Sequence, residues 1–269
     1  MTKPLLSFVQ ITDTHIYADP NAKGQFVDFN SRLTVAQTIS AINTLPMHVD
    51  FVLHTGDVMT DPEKDTDYLI AKDILKSIKY PVHYLIGNHD RSYGLQRYLV
   101  EREHDDITTY YDYEMDINGV QVICLDTSSH QPNVHSGYLE DSQLRWLSKL
   151  CNADDDRPLV VAIHHHALPL HAPWLDNIIL RNGDELHKIL LGAKDRLRGV
   201  FYGHIHENTV TVRDGISYYS GLSTWFQTRT WYAQEAPSND PLLREPGFNV
   251  VTLTEQDTFV RRYRLPIKS

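Results

Sequence analysis

At 269 residues, the chain is long for one ordinary domain and short for two, so one large α/β or sandwich domain is the leading expectation. A hydrophobic content of 41% with 22% charged residues, and no apolar run near the roughly 18 residues of a membrane span, exclude an integral membrane protein and a disordered chain. A net charge of −10 without a Lys/Arg stripe excludes duplex nucleic acid as a partner, because there is nothing to release its counterions.

Cys124 lies in an apolar run and Cys151 follows a polar helix; two such cysteines make no disulfide framework, and no C-x-x-C spacing is present. A chain of this size can bury enough surface to fold without a staple, so a metal found here is expected to be functional. Thiol usage and an N-terminus without signal-peptide features predict a cytoplasmic protein.

In chain order, apolar and β-branched stretches predict strands over residues 5–11, 49–54, 81–86, 119–125, 159–163 and 198–203. Helical spacing predicts helices over 31–44, 63–78 and 140–150, with Asp61 as N-cap and Pro62 in the first turn of the second. The alternation is that of βαβ units. After about residue 204 the pattern turns to short strands, with Asp214-Gly215 as a hairpin turn between the first two. Without repeats or a Gly/Ser linker, residues 1–269 read as a single domain. The stretch from Phe226 to Pro246 has no clear period and reads as a loop; at that length it is expected to serve function, and its aromatics could stack on a base.

Fifteen histidines are the anomaly of the composition, and many sit in short clusters with Asp and Asn. Five motifs stand at or just after predicted strand ends: Asp13-Thr-His15, Gly56-Asp57, Gly87-Asn88-His89-Asp90, His164-His165-His166 and Gly203-His204-Ile-His206. The carboxyl ends of strands are where open α/β sheets collect ligands, so residues far apart in sequence can meet in one crevice. In D-x-H and H-x-H, extended backbone puts both side chains on one face. Carboxylates, imidazoles and an amide oxygen without sulfur suit Mn, Fe, Zn or Ni. Asp13, His15, Asp57, Asn88, His164, His204 and His206 are too many for one tetrahedral zinc and suit two ions sharing a carboxylate.

The series D-x-H, G-D, G-N-H-D, H-H and G-H-x-H, in that order, resembles the calcineurin-like metallophosphoesterase superfamily. The stretches Asp126-T-S, Gln143-L-R-W-L, His164-H-H-A-L-P, Trp174-L-D, Leu180-R-N and Pro246-G-F resemble its bacterial class III cyclic-nucleotide phosphodiesterases. The resemblance implies a four-layer α/β/β/α sandwich of two mixed sheets flanked by helices. It also implies two metal ions, Mn²⁺ or Fe²⁺/Fe³⁺ with Zn²⁺ as a further candidate. Asp13, His15 and His206 would hold the first, Asn88, His164 and His204 the second, and Asp57 would bridge. His164 is preferred within the triplet because it directly follows the strand and matches the first His of the family's H-H-x-P. Asn88 and His89 would contact the substrate, with His89 as the catalytic group that protonates the leaving oxygen. Ala167 stands where close relatives carry proline.

The implied reaction is hydrolysis of a small anionic phosphodiester by a metal-activated hydroxide, with 3′,5′-cyclic AMP as the leading substrate. Glycerophosphodiesters, other cyclic phosphates and phosphomonoesters stay open, as does, remotely, a non-catalytic scaffold. Two divalent ions against Asp13, Asp57 and a hydroxide leave a slightly positive site in an acidic protein, which welcomes a phosphodiester monoanion. The C-terminal strands or the aromatic loop could carry a homodimer contact.

The remaining candidates are read structurally. Asp90 is expected to orient a histidine or cap the next helix, and Asp126 to accept hydrogen bonds near the site. Arg91 and Arg181 are phosphate-contact candidates, and Asp61 opens a solvated helix start. His54, His83, His130, His135, His171 and His187 are taken mostly as packing or surface residues.

Overall fold

The computed structural model describes residues 4–23, 28–131, 134–237 and 245–266. In chain order it places strands β1 (Leu6–Ile11), β2 (Phe51–His54), β3 (Val82–Tyr84), β4 (Tyr113–Ile117), β5 (Val120–Cys124), β6 (Leu159–Ala162), β7 (Leu197–Tyr202), β8 (Val210–Arg213), β9 (Ile216–Ser220), β10 (Gly247–Leu253) and β11 (Thr258–Arg264). The helices are α1 (Ser31–Asn43), α2 (Tyr68–Leu75), α3 (Ser92–Gly94), α4 (Asp141–Cys151), α5 (Pro173–Asp176) and α6 (Gly183–Leu190). A five-stranded sheet runs β11-β10-β1-β2-β3 and a six-stranded sheet β4-β5-β6-β7-β9-β8. Both are mixed: β1, β2 and β3 are mutually parallel, as are β5, β6, β7 and β9, whereas β4, β8, β10 and β11 pair antiparallel.

Strand alternation builds the layers. Leu6 and Phe8 of β1, Phe51 and Leu53 of β2, and Val122, Val160 and Phe201 of the other sheet share one core between the sheets. The intervening Val9, Ile11 and Val52 face Val35 and Ile39 of α1 and Ala71 and Leu75 of α2. Ile123, Val161 and Val200 face Leu144 and Leu147 of α4 and Leu186 and Leu190 of α6. Because period-2 alternation buries both faces of each sheet, the order of layers is helix, sheet, sheet, helix. Buried amides tie the sheets together: Gln10 donates to Tyr202 O (2.9 Å), and Asn249 donates to Gln10 Oε1 (2.9 Å) and Ser220 O (3.0 Å). Among the described residues no helix is long and apolar enough to cross a membrane.

Local chemistry sets the ends of these elements. Asn30 caps α1 by accepting from Arg32 N at 3.0 Å. Asp214 and Gly215 both have positive φ, 52° and 83°, the pair of left-handed residues that a tight hairpin between β8 and β9 demands. The second helix is shorter than its spacing predicts: Arg91 takes the carbonyls of Pro62 and Glu63, a 3₁₀ turn spans Asp65–Asp67, and the α-helix ends at Leu75; Asp61, at φ 42°, is no helix cap. Strand β4, which the sequence reading does not include, is a half-exposed edge whose Tyr-Glu-Met-Asp-Ile alternates apolar and charged residues, and Asn118-Gly119 is the turn that follows it. The last strands divide between the sheets, with β8 and β9 extending the second and β10 and β11 the first. Of the 226–246 loop, residues 238–244 lie outside the described residues.

Candidate metal centre

The five histidine and aspartate motifs follow β1, β2, β3, β6 and β7 directly, and the parallel pairing within each sheet turns these strand ends toward one crevice. Backbone bonds lock the segments together: Asp13 N donates to Gly56 O (3.0 Å), His15 N to Asp57 O (3.1 Å), and Gly203 N to His164 O (3.1 Å). His204 N donates to the Asp13 carboxylate at 3.0 Å, joining the two sheets at the site.

All seven positions expected to bind metal meet here. Ligand atoms of Asp13, His15 and His206 lie within 4.8 Å of one another, as do those of Asp13, Asp57 and His164, and those of His164, His165 and His204. Asp57 Oδ2 lies 3.6 Å from His15 Nε2 and 3.3 Å from His164 Nε2, between the two groups. Asn88 Oδ1 lies 3.2 Å from His164 Nε2.

The tautomers show what the cluster is built to hold. His164 Nδ1 donates to Thr55 O (2.7 Å), His206 Nδ1 to Phe226 O (3.0 Å) and His204 Nε2 to Ile178 O (3.0 Å). A neutral ring that spends its one N–H on a carbonyl keeps the other nitrogen as a bare lone pair. The bare Nε2 of His206 then faces His15 Nε2 at 3.0 Å and Asp13 Oδ1 at 3.3 Å, and that of His164 faces Asp57 and Asn88 oxygens. Lone pairs converging on lone pairs in a buried site call for cations, and carbonyl-oriented imidazoles are how proteins present ligands to them. The donor set fits two ions of the Mn, Fe or Zn type.

The backbone is shaped to the same end. Asp13, His15, Asp57, His204 and His206 all have φ between 44° and 70°, a left-handed conformation that is uncommon for residues with a Cβ and costs of order 1 kcal/mol each. Gly87, before Asn88, and Gly203, before His204, make room. A Cβ on Gly87 would lie 2.1 Å from Asp57 Oδ1, and one on Gly203 would lie 2.0 Å from Thr12 Oγ1 and 2.8 Å from Asp13 Oδ2.

Charge follows the geometry. Burial holds His15 neutral, its pKa lowered to about 3, and keeps His204 well below the ordinary histidine value. Burial also opposes charge on His164, yet the Asp57 carboxylate outweighs it and raises the pKa to about 9; a proton occupies the place a metal would take. His89 stands beside this group with its ring 5.1 Å from that of His15. Its backbone N–H donates to Asp57 Oδ1 (2.9 Å), and Nδ1 meets Asp61 Oδ1 at 2.9 Å. Against the cost of burial, Asp57 and Asp61 raise its pKa to about 9, so His89 carries a proton at neutral pH.

Several side chains serve differently from the sequence reading. Asp61 is solvent-exposed as expected but starts no helix, and it pairs with His89. Asp90 neither orients a histidine nor caps a helix: it accepts from Val58 N, Met59 N, Gly87 N and Tyr68 Oη at 2.9–3.1 Å and so clamps the Asp57 turn to the Asn88 turn. His135, read as a packing or surface residue, lies against the site. Its Nδ1 accepts from Asn88 Nδ2 (3.1 Å), which turns the amide oxygen toward His164, and its ring is 5.3 Å from that of His89. Asp126 accepts from Tyr111 N, Ser128 and His130, as expected. Arg91 is taken by Asp65 (3.0 Å) and two carbonyls, whereas Arg181 bonds Ser136 Oγ through Nε (2.8 Å). His187 joins Tyr218 Oη to Asp214, far from the ligands in role. Trp225, just before the aromatic loop, packs on His15, and Phe226, its first residue, on His206, ring centroids 5.6 and 4.4 Å apart.

The model of calcineurin-like phosphoesterases matches residues 6–208. The chain is 29% identical over 219 residues to the 3′,5′-cyclic adenosine monophosphate phosphodiesterase CpdA of Pseudomonas aeruginosa, covering 81% of this chain and 76% of that protein. It is 27% identical over 205 residues to the glycerophosphodiester phosphodiesterase GpdQ of Enterobacter lignolyticus, covering 75% and 71%. Among solved structures, a dimetal phosphatase from Danio rerio superposes with a TM-score of 0.67 at 16% identity, covering 97% of this chain and 96% of that one, a likeness of fold. With a family match spanning every one of the converging motifs, the chain belongs to the calcineurin-like phosphoesterases, as a metal-dependent hydrolase of the phosphodiesterase kind.

Proposed function

We propose that the protein hydrolyses 3′,5′-cyclic AMP to AMP at a dinuclear centre, with Asp13, His15 and His206 holding one ion, Asn88, His164 and His204 the other, and Asp57 shared. The observation that carries this reading is the place of Asp57 Oδ2, 3.6 Å from His15 Nε2 and 3.3 Å from His164 Nε2. Mn²⁺, Fe²⁺/Fe³⁺ or Zn²⁺ suits the donors. Such ions, when bound, activate water at neutral pH and neutralise the phosphoryl oxygens during in-line displacement. Cyclic AMP is supported by the names of the curated relatives; a glycerophosphodiester is the second reading, supported by GpdQ. Residues 1–269 act as one unit, with Phe226, at the start of the 226–246 stretch, packed on His206 of the centre. The free, buried Cys124 and Cys151 suit a reducing cytoplasm.

The protein's own groups supply the rest of the chemistry. Asp61 on Nδ1 fixes the His89 ring and favours its charged form, so that Nε2–H is the free donor. As water oxygen bonds to phosphorus and the P–O3′ bond breaks, that proton passes to O3′. His135 keeps the Asn88 amide from flipping, and Asp90 holds the two ligand-bearing turns in register.

The test is phosphorus NMR of quenched reactions of the Mn²⁺-reconstituted protein with a mixture of cyclic AMP, a glycerophosphodiester and AMP, beside Asn88→Ala. Decay of cyclic AMP to AMP alone, with an inert variant, is the expected result. Decay of the glycerophosphodiester instead replaces the substrate assignment by the second reading, and no decay with any of the three metals overturns both.

A further inference from the structure

Beside the centre, on the side of His89 and His135, lies an open cleft of about 290 Å³, near the lower end of the size of small-ligand sites, which begins at about 300 Å³. Its wall is the segment around residues 134–138, and His135, which contacts both Asn88 and His89, is flanked by the cleft residues Val134 and Ser136. Tyr110, Glu140 and Arg181 also line the cleft. The segment is anchored rather than loose: Tyr138 N donates to Thr127 O (3.0 Å), Thr127 Oγ1 meets His165 Nδ1 (2.8 Å), and a Cβ on Gly137 would strike the His165 ring at 2.7 Å.

The polar groups of the cleft are unevenly committed. Arg181 spends Nε on Ser136 Oγ, and among the described residues its two terminal nitrogens have no acceptor. Glu140 caps α4 and accepts from Tyr110 Oη at 3.3 Å, yet a carboxylate has about four acceptor positions and keeps capacity. Tyr138 is 43% exposed and, with Tyr110, offers an aromatic face. Aromatic rings and a guanidinium plane are the surfaces on which nucleobases stack. A spare donor and a spare acceptor in the same cleft match the adjacent N7 acceptor and N6 amino donor of adenine. Guanine offers two acceptors on that edge, so its O6 would face the Glu140 carboxylate.

We infer that this cleft is the base subsite of the enzyme, with Arg181 and Glu140 reading the Hoogsteen edge of adenine and Tyr110 and Tyr138 taking its face. The assignment rests on the phosphodiesterase reading above and deepens it. It places the leaving 3′-oxygen and its sugar on the His89 side, where the proton is held. Ser136 acts through Arg181, fixing the guanidinium by its hydroxyl.

The experiment is steady-state kinetics of the Mn²⁺-loaded protein on 3′,5′-cyclic AMP, 3′,5′-cyclic GMP and glycerophosphocholine. Arg181→Ala and Tyr138→Ala are each expected to lower the ratio of kcat/KM for cyclic AMP over glycerophosphocholine about ten-fold, chiefly through KM. Glu140→Gln is expected to narrow the preference for cyclic AMP over cyclic GMP by about five-fold. Equal losses on all substrates, the mark of a structural role, or unchanged ratios overturn the assignment. Should the wild-type protein not turn over cyclic AMP, the substrate reading fails by itself, and calorimetric titration with adenosine decides the cleft. Binding weakened about ten-fold by Arg181→Ala upholds it, and no binding overturns it.

Discussion

The buried ligand crevice and its exposed rim are built on opposite terms. In the crevice Asp13 and His164 are fully buried, five of the proposed ligand positions are held at positive φ, and every histidine proposed to hold a metal has its second nitrogen tied to a carbonyl or hydroxyl. On the rim Trp231 and Tyr232 are 62% and 84% exposed, and the cleft beside His135 opens to solvent with a guanidinium held only through Nε. Chemistry that depends on metal geometry needs atoms held to within a fraction of an ångström, whereas loops can vary their choice of substrate without disturbing that geometry. The division teaches where each kind of substitution should be felt.

The sharpest way to break it is Asp57→Ala. That variant removes the carboxylate between His15 and His164 and the acceptor of His89 N. Metal content by mass spectrometry of the purified protein should fall well below two ions per chain, and turnover should drop by at least about 10³-fold. Retention of both ions with normal turnover would remove Asp57 from the centre.

Next in size is His89→Ala, expected to lower kcat about 10²- to 10⁴-fold on alkyl phosphodiesters and distinctly less on a nitrophenyl ester, whose leaving oxygen needs no proton. Equal losses on both esters would deny His89 the role of acid. Asp61→Asn sharpens the same point through pH. Asp57 and Asp61 raise the pKa of His89 to about 9, so the acid form is present below that value and activity falls as pH rises through it. Bound cations lower the whole limb, but removing the Asp61 charge should move it further toward lower pH in kcat–pH profiles. A limb that stays in place would make Asp61 a bystander.

Gly203→Ala tests the packing of the crevice without removing a ligand. Its Cβ would lie 2.0 Å from Thr12 Oγ1 and 2.8 Å from an Asp13 oxygen, so about 1–3 kcal/mol of stability should be lost. That is a fall in Tm of very roughly 2–10 °C by calorimetry. The smallest effect belongs to the rim: Tyr232→Ala should stay within about 0.5 kcal/mol of the parent in urea unfolding. A large loss there would show that the loop braces the core and blur the contrast between the two regions.

The same contrast decides what could be read before folding. Strand positions, the hairpin at Asp214-Gly215 and the convergence of the seven proposed ligand positions on one crevice were legible, because each is marked by local pattern: period-2 apolar runs, left-handed turn residues, and motifs directly following strands. The half-exposed β4 does alternate at period 2, apolar Tyr113, Met115 and Ile117 against charged Glu114 and Asp116, but offers no continuous apolar run, and the predicted second helix was overextended because its first residues, Pro62 and Glu63, give their carbonyls to Arg91, 29 and 28 residues away. Asp61, Asp90 and His135 were misread because their partners His89, the 58–59 backbone and Asn88 lie 28, 31–32 and 47 residues away.

Sequence by itself therefore determined which atoms the centre has to offer and that they lie at strand ends, since residue type fixes donor chemistry and alternation fixes the strand. Only the tertiary structure decided how those atoms are held: which nitrogen of each histidine is bare, which carboxylate lies between two groups, and which side chain turns the Asn88 amide. Those choices are made by hydrogen bonds across two sheets, and such bonds exist only once β1 lies beside β2 and His204 N reaches the Asp13 carboxylate.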